Sequence, residues 1–163
     1  MNRNTAAPVT TEEPVTHSTF SIERTFPVPP ARVFFAFENA ATKRRWFAEG
    51  EGWTVDEYTL NFRIGGIEFS RFRFMDGLEI RNYTLFEDVV PDRRIVFAYR
   101  MTVGPKPISV SLGTVQLLPS GEGTLMTYTE QGVYFGDPDA VKGREQGSRG
   151  LLERLAAELE GAL

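Results

Sequence analysis

The sequence contains no cysteine and only one histidine, His17. The first absence excludes disulfides, thiolate nucleophiles and Cys-ligated zinc, and it fits a reducing, cytoplasmic setting. The second leaves no interior Ser-His-Asp arrangement or histidine-based metal cluster, because His17 stands where a polar N-terminal stretch gives way to the first patterned segment. No spacing matches a calcium loop or a phosphate-binding loop, and Gly65-Gly66 is too short and lies between strand-like segments. No catalytic residue, metal ligand or cofactor is therefore assigned. Long apolar runs are also missing: nothing approaches the roughly 20 residues of a membrane span, and residues 1–16 lack the apolar stretch of a signal peptide. Excess positive charge is absent too. With 18 Lys plus Arg against 22 Asp plus Glu the formal charge is -4, which speaks against nucleic acid as the main partner.

Aromatics are abundant: 13 Phe, 5 Tyr and 2 Trp in 163 residues, enough for one core of large aromatic share. Residues 1–16 are polar and poor in groups that could be buried, so they are expected to form a disordered tail, with one domain over 17–163. Phe20, Ile22, Arg24 and Phe26 alternate with Ser21, Glu23 and Thr25, a period of two that predicts a first strand. Pro30 suits the first turn of a short helix over Ala31–Phe37, since its missing N–H costs nothing there. A second helical segment is expected over Ala40–Phe47, with Trp46 and Phe47 inward and Lys43, Arg44 and Arg45 outward, ended by Gly50 and Gly52.

Strand-like stretches follow at about 53–60, 67–74, 78–89, 94–103, 108–118 and 124–135, separated by turn-forming pairs, of which Asp76-Gly77 is the sharpest hairpin signal. The last element is expected to start after Asp137-Pro138-Asp139, with Asp137 as a candidate cap and Pro138 in the first helical position. Leu152, Leu155, Ala156, Leu159 and Leu163 then recur at helical spacing. The pattern predicts an α+β fold in which a curved antiparallel sheet of about seven strands grips one long C-terminal helix.

Several segments carry a family likeness. They are Phe26-Pro27-Val28-Pro29-Pro30-Ala31-Arg32-Val33-Phe34, Thr42-Lys43-Arg44-Arg45-Trp46-Phe47, Phe62-Arg63-Ile64-Gly65-Gly66, Val90-Pro91-Asp92-Arg93-Arg94-Ile95-Val96-Phe97 and Leu151-Leu152-Glu153-Arg154-Leu155. Over about residues 17–160 the chain resembles the START-like (SRPBCC) helix-grip proteins, in the branch related to the activator of the Hsp90 ATPase. The resemblance implies a seven-stranded sheet around the C-terminal helix, two short helices after the first strand, and a cavity that takes small apolar molecules. It leaves room for a homodimer and for a protein partner in a cochaperone-like or stress-related role. Similar proteins often carry Gly-Trp before the leucines of the last helix, where this chain reads Gln146-Gly147-Ser148-Arg149-Gly150.

The leading expectation is a pocket that binds a small hydrophobic or amphipathic molecule. Trp46, Phe47, Phe72, Tyr83, Phe97, Tyr99, Tyr128 and Leu152 would shape it, with Arg81 or Glu130 orienting a polar end. Each interior glycine costs a helix ~1 kcal/mol relative to alanine. Gly143, Gly147 and Gly150 together therefore point either to close approach at this helix, with Gly147 and Gly150 facing the ligand, or to a kink. Arg71 and Arg73 alternate with Phe72 and Phe74 as a charged face over an aromatic one, and Asp56, Glu57, Glu68, Glu79, Glu87 and Asp88 read as solvated or ion-paired. Two further readings stand beside binding: an interaction module using the Lys43-Arg44-Arg45 cluster, and an enzyme using Glu130 or tyrosine as an acid.

Overall fold

The computed structural model describes residues 13–161. The proposed tail lies mostly outside them, as does Leu163. The first strand, β1, covers Val15–Phe26 and so begins two residues before His17. It is followed by α1 (Pro30–Glu38) and α2 (Ala40–Phe47), then by β2 (Trp53–Leu60), β3 (Ile67–Phe74), β4 (Ile80–Val90), β5 (Arg94–Val103), β6 (Lys106–Ser120) and β7 (Gly123–Phe135), and finally by α3 (Ala140–Leu159). The seven strands form one sheet in the order β1-β7-β6-β5-β4-β3-β2, and every neighbouring pair is antiparallel. All connections from β2 onward are therefore hairpins, while α1 and α2 carry the chain from one edge of the sheet to the other.

Local chemistry explains the element ends. Pro30 opens α1 as expected, and Asn39 serves both short helices: its N–H donates to Phe35 O at 2.9 Å, and its Oδ1 accepts from the N–H of Thr42 at 3.0 Å. Trp46 is fixed by donating its indole N–H to Ala36 O at 2.8 Å, which locks α2 against α1. The last helix, α3, starts at Ala140, directly after Asp137-Pro138-Asp139 as expected, but Asp137 does not cap it and Pro138 is not in its first turn: Asp137 Oδ1 accepts from Asp139 N at 2.9 Å, closing a turn before the helix.

The tightest hairpins also lie elsewhere than expected. Strands β3 and β4 stop at Phe74 and Ile80, leaving a longer loop in which Met75 takes a φ of 51°. Two-residue turns instead join β5 to β6 through Gly104-Pro105 and β6 to β7 through Gly121-Glu122, with Gly104 at φ 56° and Gly121 at φ 57°. Glycine is favoured at both because a side chain strains a left-handed backbone, and Pro105 supplies the negative φ that follows.

The C-terminal half of α3 turns Leu152, Leu155, Ala156 and Leu159 into the core, where they join Phe20, Ile22 and Phe26 of β1, Val33, Phe34 and Phe37 of α1, and Trp46 of α2. Burial of these surfaces, at ~25 cal/mol per Å², is what holds helix to sheet. Arg154 ties α3 to α2 as well, since its guanidinium donates to Trp46 O at 2.9 Å and to Arg45 O at 2.7 Å, satisfying carbonyls at the end of α2. The N-terminal half of α3 has no such apolar stripe, and it roofs a space instead.

Candidate functional site

Between the inner face of the sheet, the N-terminal half of α3 and the end of α2 lies a cavity of about 800 Å³. Period-two alternation decides which side chains enter it. Along β4 these are Ile80, Asn82, Thr84 and Phe86, and along β5 Ile95, Phe97, Tyr99 and Met101. Strand β7 contributes Met126, Tyr128 and Tyr134, and α3 contributes Gly143, Arg144, Gly147, Gly150 and Leu152. A side-chain carbon added at Gly143, Gly147 or Gly150 would meet nothing within 4 Å, so this glycine face borders open space along one side of the cavity.

Two polar ends interrupt the apolar wall. At one, Lys43 and Glu68 are both buried and pair at 3.3 Å, and the Tyr58 hydroxyl donates to the same Glu68 oxygen at 2.9 Å. Lys43 Nζ also stands 4.7–5.2 Å from the ring centres of Phe47, Trp46 and Phe37, an aromatic cage that favours the ammonium. Burial first, then the neighbouring Glu68 charge, push the Tyr58 hydroxyl well above its ordinary range.

At the other end Glu130, 0% exposed, accepts from Tyr99 at 2.8 Å, Tyr128 at 2.7 Å and Tyr134 at 3.1 Å. Arg144 reaches in from α3 and donates to Glu130 at 3.1 Å, to Tyr99 Oη at 2.8 Å and to Ser109 Oγ at 2.6 Å. Burial, together with the Glu130 charge, pushes the Tyr134 hydroxyl up to about 12, and Tyr99 and Tyr128 rise for the same reasons. These tyrosines are therefore hydrogen-bond donors at neutral pH. Register places the two ends close together. Glu68 pairs with Thr84 and Thr84 with Tyr99, so two strand spacings, roughly 10 Å, separate the Glu68 backbone from that of Tyr99.

The residues predicted from sequence for the site fall in different places. Trp46, Phe47, Phe72, Phe97, Tyr99, Tyr128, Gly147, Gly150 and Leu152 all border the cavity. Tyr83 and Arg81 do not: they occupy the outer face of β4, where Arg81 donates to Glu79 at 2.5 Å and Tyr83, 40% exposed, lies beneath Arg100. Alternation showed two faces on β4, but the inward one carries Asn82 and Thr84, and the aromatic and basic residues point out. Glu130 stands behind Tyr99, Tyr128 and Arg144 rather than on the wall, so it organises the polar end instead of facing it directly. Glu68, read as solvated or ion-paired, is paired but buried rather than at a rim, and Lys43, read as outward, is the cation that pairs with it. Its neighbours are engaged as well: Arg44 donates to Glu49 at 2.7 Å, and Arg45 donates to Glu158. The three-residue basic run is thus not a free docking patch.

Arg144 was missed altogether. The signal available was an arginine one residue after Gly143 on the face that the glycines clear. Among the described residues no group of His, Asp or Glu side chains is arranged to hold a metal ion, and no helix is long and apolar enough to cross a membrane.

Comparison with known proteins agrees with this architecture. The profile of the family described as Activator of Hsp90 ATPase homolog 1-like protein matches residues 27–160. The crystal structure of the Mll3558 protein from Rhizobium loti is 57% identical with a TM-score of 0.83, covering 89% of this chain and 99% of that one. A putative uncharacterized protein from Rhizobium leguminosarum is 38% identical with a TM-score of 0.87, over 92% of this chain and 99% of its own. Protein CV1439 from Chromobacterium violaceum, 23% identical with a TM-score of 0.74 over 87% and 96% of the two chains, shares the fold. No curated protein matches the chain in sequence.

Proposed function

On the premise that this chain belongs to the Activator of Hsp90 ATPase homolog 1-like family, a START-like group of ligand-binding or interaction modules, we propose that it binds a small, uncharged, amphipathic molecule between α3 and the sheet. One observation carries the reading: a cavity of about 800 Å³, walled mainly by aromatic and aliphatic side chains, in which each buried charge already has a partner of opposite sign. Such a volume lies within the roughly 300–1,000 Å³ of sites that enclose small molecules. A ligand that brought its own charge would have to compete with Lys43–Glu68 or Arg144–Glu130, whereas an uncharged one gains from the apolar wall without disturbing either pair. Acid-base catalysis draws no support from Glu130, which is screened by its own hydrogen-bond partners.

The test is thermal denaturation with a panel of uncharged aromatic alcohols, aliphatic alcohols and the matching acids, paired with native mass spectrometry of the purified protein. Uncharged members are expected to raise the melting temperature saturably and to appear as one-to-one complexes. Preference for the acids, or no shift with any member, would overturn the reading.

A second reading, a protein-interaction module of cochaperone kind, rests on the family's description and on a run of exposed apolar side chains at the β2 and β3–β4 end of the sheet, comprising Trp53, Phe74, Met75 and Leu78. If it holds, replacing Met75 and Leu78 with serine abolishes recovery of a partner while leaving the melting temperature and small-molecule binding unchanged. Equal recovery of that partner by the wild-type and substituted chains would remove it.

A further inference from the structure

We propose that Arg144 is the polar anchor of the cavity and takes a neutral carbonyl oxygen, so that the preferred ligand is an apolar molecule bearing a ketone, ester or amide group; this deepens the binding function proposed above and rests on it. A guanidinium has five N–H donors. That of Arg144 crosses from α3 to the sheet, where Nη1 donates to Tyr99 Oη at 2.8 Å, to Glu130 Oε1 at 3.1 Å and to Ser111 Oγ at 3.4 Å, and Nη2 donates to Ser109 Oγ at 2.6 Å. Both hydrogens of Nη1 and one of Nη2 are thereby engaged.

The Nε–H and the second hydrogen of Nη2 have no acceptor among the described residues. Nor is Nε sealed away. The polar atoms that are both buried and unpartnered are Arg24 Nε, Ser70 Oγ, Arg71 Nε and Asn82 Oδ1, so Arg144 Nε keeps accessible surface. Arg144 itself lines the cavity, with 13% of its side chain exposed. Unmatched donors on a mostly buried cation are costly, and two of them on one wall of an apolar space point to an acceptor supplied from outside the chain.

The neighbours decide which acceptor. Glu130, 0% exposed, already balances the Arg144 charge, and a carboxylate ligand would bring a second anion beside it in a buried setting. Tyr99, Tyr128 and Tyr134 each direct their hydroxyl hydrogen at Glu130, so the rings around the guanidinium present oxygen atoms that accept rather than donate. An incoming group that only donated would leave the Arg144 hydrogens unmatched. A neutral carbonyl oxygen fits, with two lone pairs, no hydrogen of its own and no net charge. The wall leading away from Arg144 is apolar: Phe97 follows Tyr99 on the inner face of β5, and the Tyr128 ring stacks on Phe97 with centroids 6.4 Å apart. A ligand held by its carbonyl at Arg144 therefore lays its apolar body over Phe97 and Tyr128, toward Leu152 of α3.

Equilibrium dialysis of the full chain against 2-acetylnaphthalene, 2-isopropenylnaphthalene and 2-naphthoate tests this, because the first two differ only in C=O against C=CH2 and the third brings a charge. The readout is the ratio of ketone to alkene affinity, compared between chains so that the different hydration of the two ligands cancels. Arg144→Met is expected to lower that ratio about tenfold, the size of one hydrogen bond to a charged donor, while alkene binding persists. If Glu130 left without its cation prevents folding, Glu130→Gln combined with Arg144→Met removes both charges and reads the same ratio. Wild type is expected to hold naphthoate more weakly than the ketone. A ratio unchanged by loss of the guanidinium, as when the carbonyl sits on the Asn82 amide two strands from Ser109, would overturn the anchor and leave the cavity reading standing. Tighter retention of naphthoate, or retention of none of the three, would overturn both. In the infrared, the 13C-labelled carbonyl of bound 2-acetylnaphthalene is expected to absorb at lower frequency than in hexane; a band at the hexane position in wild type would contradict the anchor.

Discussion

Replacing Gly147 probes the roof of the cavity directly, because it should raise stability and lower binding at once. Gly147 lies inside α3, where glycine costs ~1 kcal/mol relative to alanine. A new side chain there meets nothing within 4 Å, so no clash offsets the gain. For a chain of this length ~1 kcal/mol corresponds to a rise of roughly 2–4 °C in melting temperature. Gly147→Ala and Gly147→Leu should both show it by calorimetry. They should part in equilibrium dialysis: alanine adds one carbon at the cavity edge, while leucine projects four into the space a ligand would use. Crowding of that size typically costs 1–3 kcal/mol, so about a tenfold loss of 2-naphthol binding is expected for leucine and little change for alanine. A fall in melting temperature for both variants would show the glycine face to be packed, and unchanged binding by a stabilised leucine variant would show that ligands do not use it. Either result refutes the reasoning.

Three further outcomes follow from the geometry. Glu130→Gln leaves Arg144 facing a neutral amide in a buried setting, and urea denaturation should show a loss of about 3–5 kcal/mol, partly recovered when Arg144→Met is added; additive effects in that cycle would deny the coupling. Four of the five tyrosines, Tyr58, Tyr99, Tyr128 and Tyr134, have hydroxyls raised above the ordinary value of 10. Because folding favours their protonated forms, their contribution to stability is complete below pH 10 and is lost as the pH climbs toward about 12, where Tyr134 titrates, so phenolate absorbance should appear together with unfolding. Ionisation of these four near pH 10 in a folded protein would contradict this. Gly113 is the cross-strand partner of Phe97, and an added Cβ would come within 2.5 Å of that ring, so Gly113→Ala should push Phe97 into the cavity and weaken naphthalene binding by about tenfold; unaltered affinity would show that the ring does not set the volume.

The fold was legible because its signals are local. Alternation in Phe20 to Phe26, the prolines before α1 and the leucine spacing of α3 each follow from backbone geometry and burial, and a chain whose strands are separated by turn residues has few ways to pair them other than in sequence order. The apolar wall was legible for the same reason. The polar ends were not. Lys43 sits in a run of three basic residues, which resembles a solvated helix face until Phe37, Trp46 and Phe47 close around it and β3 brings Glu68. Arg144 lies among glycines that drew attention to backbone rather than to charge. On β4 the alternation is plain but its phase is not, since Asn82 and Thr84 turn inward and Tyr83 outward, against the usual preference; only the partners on β3 and β5 determine which face is which.

The most direct measurement is the position of a bound guest. Crystals exposed to 6-bromo-2-naphthol should show an anomalous bromine peak between α3 and the sheet, among Phe97, Tyr128 and Leu152. A peak confined to the outer surface, or a structure in which side chains have closed that space, would contradict the account.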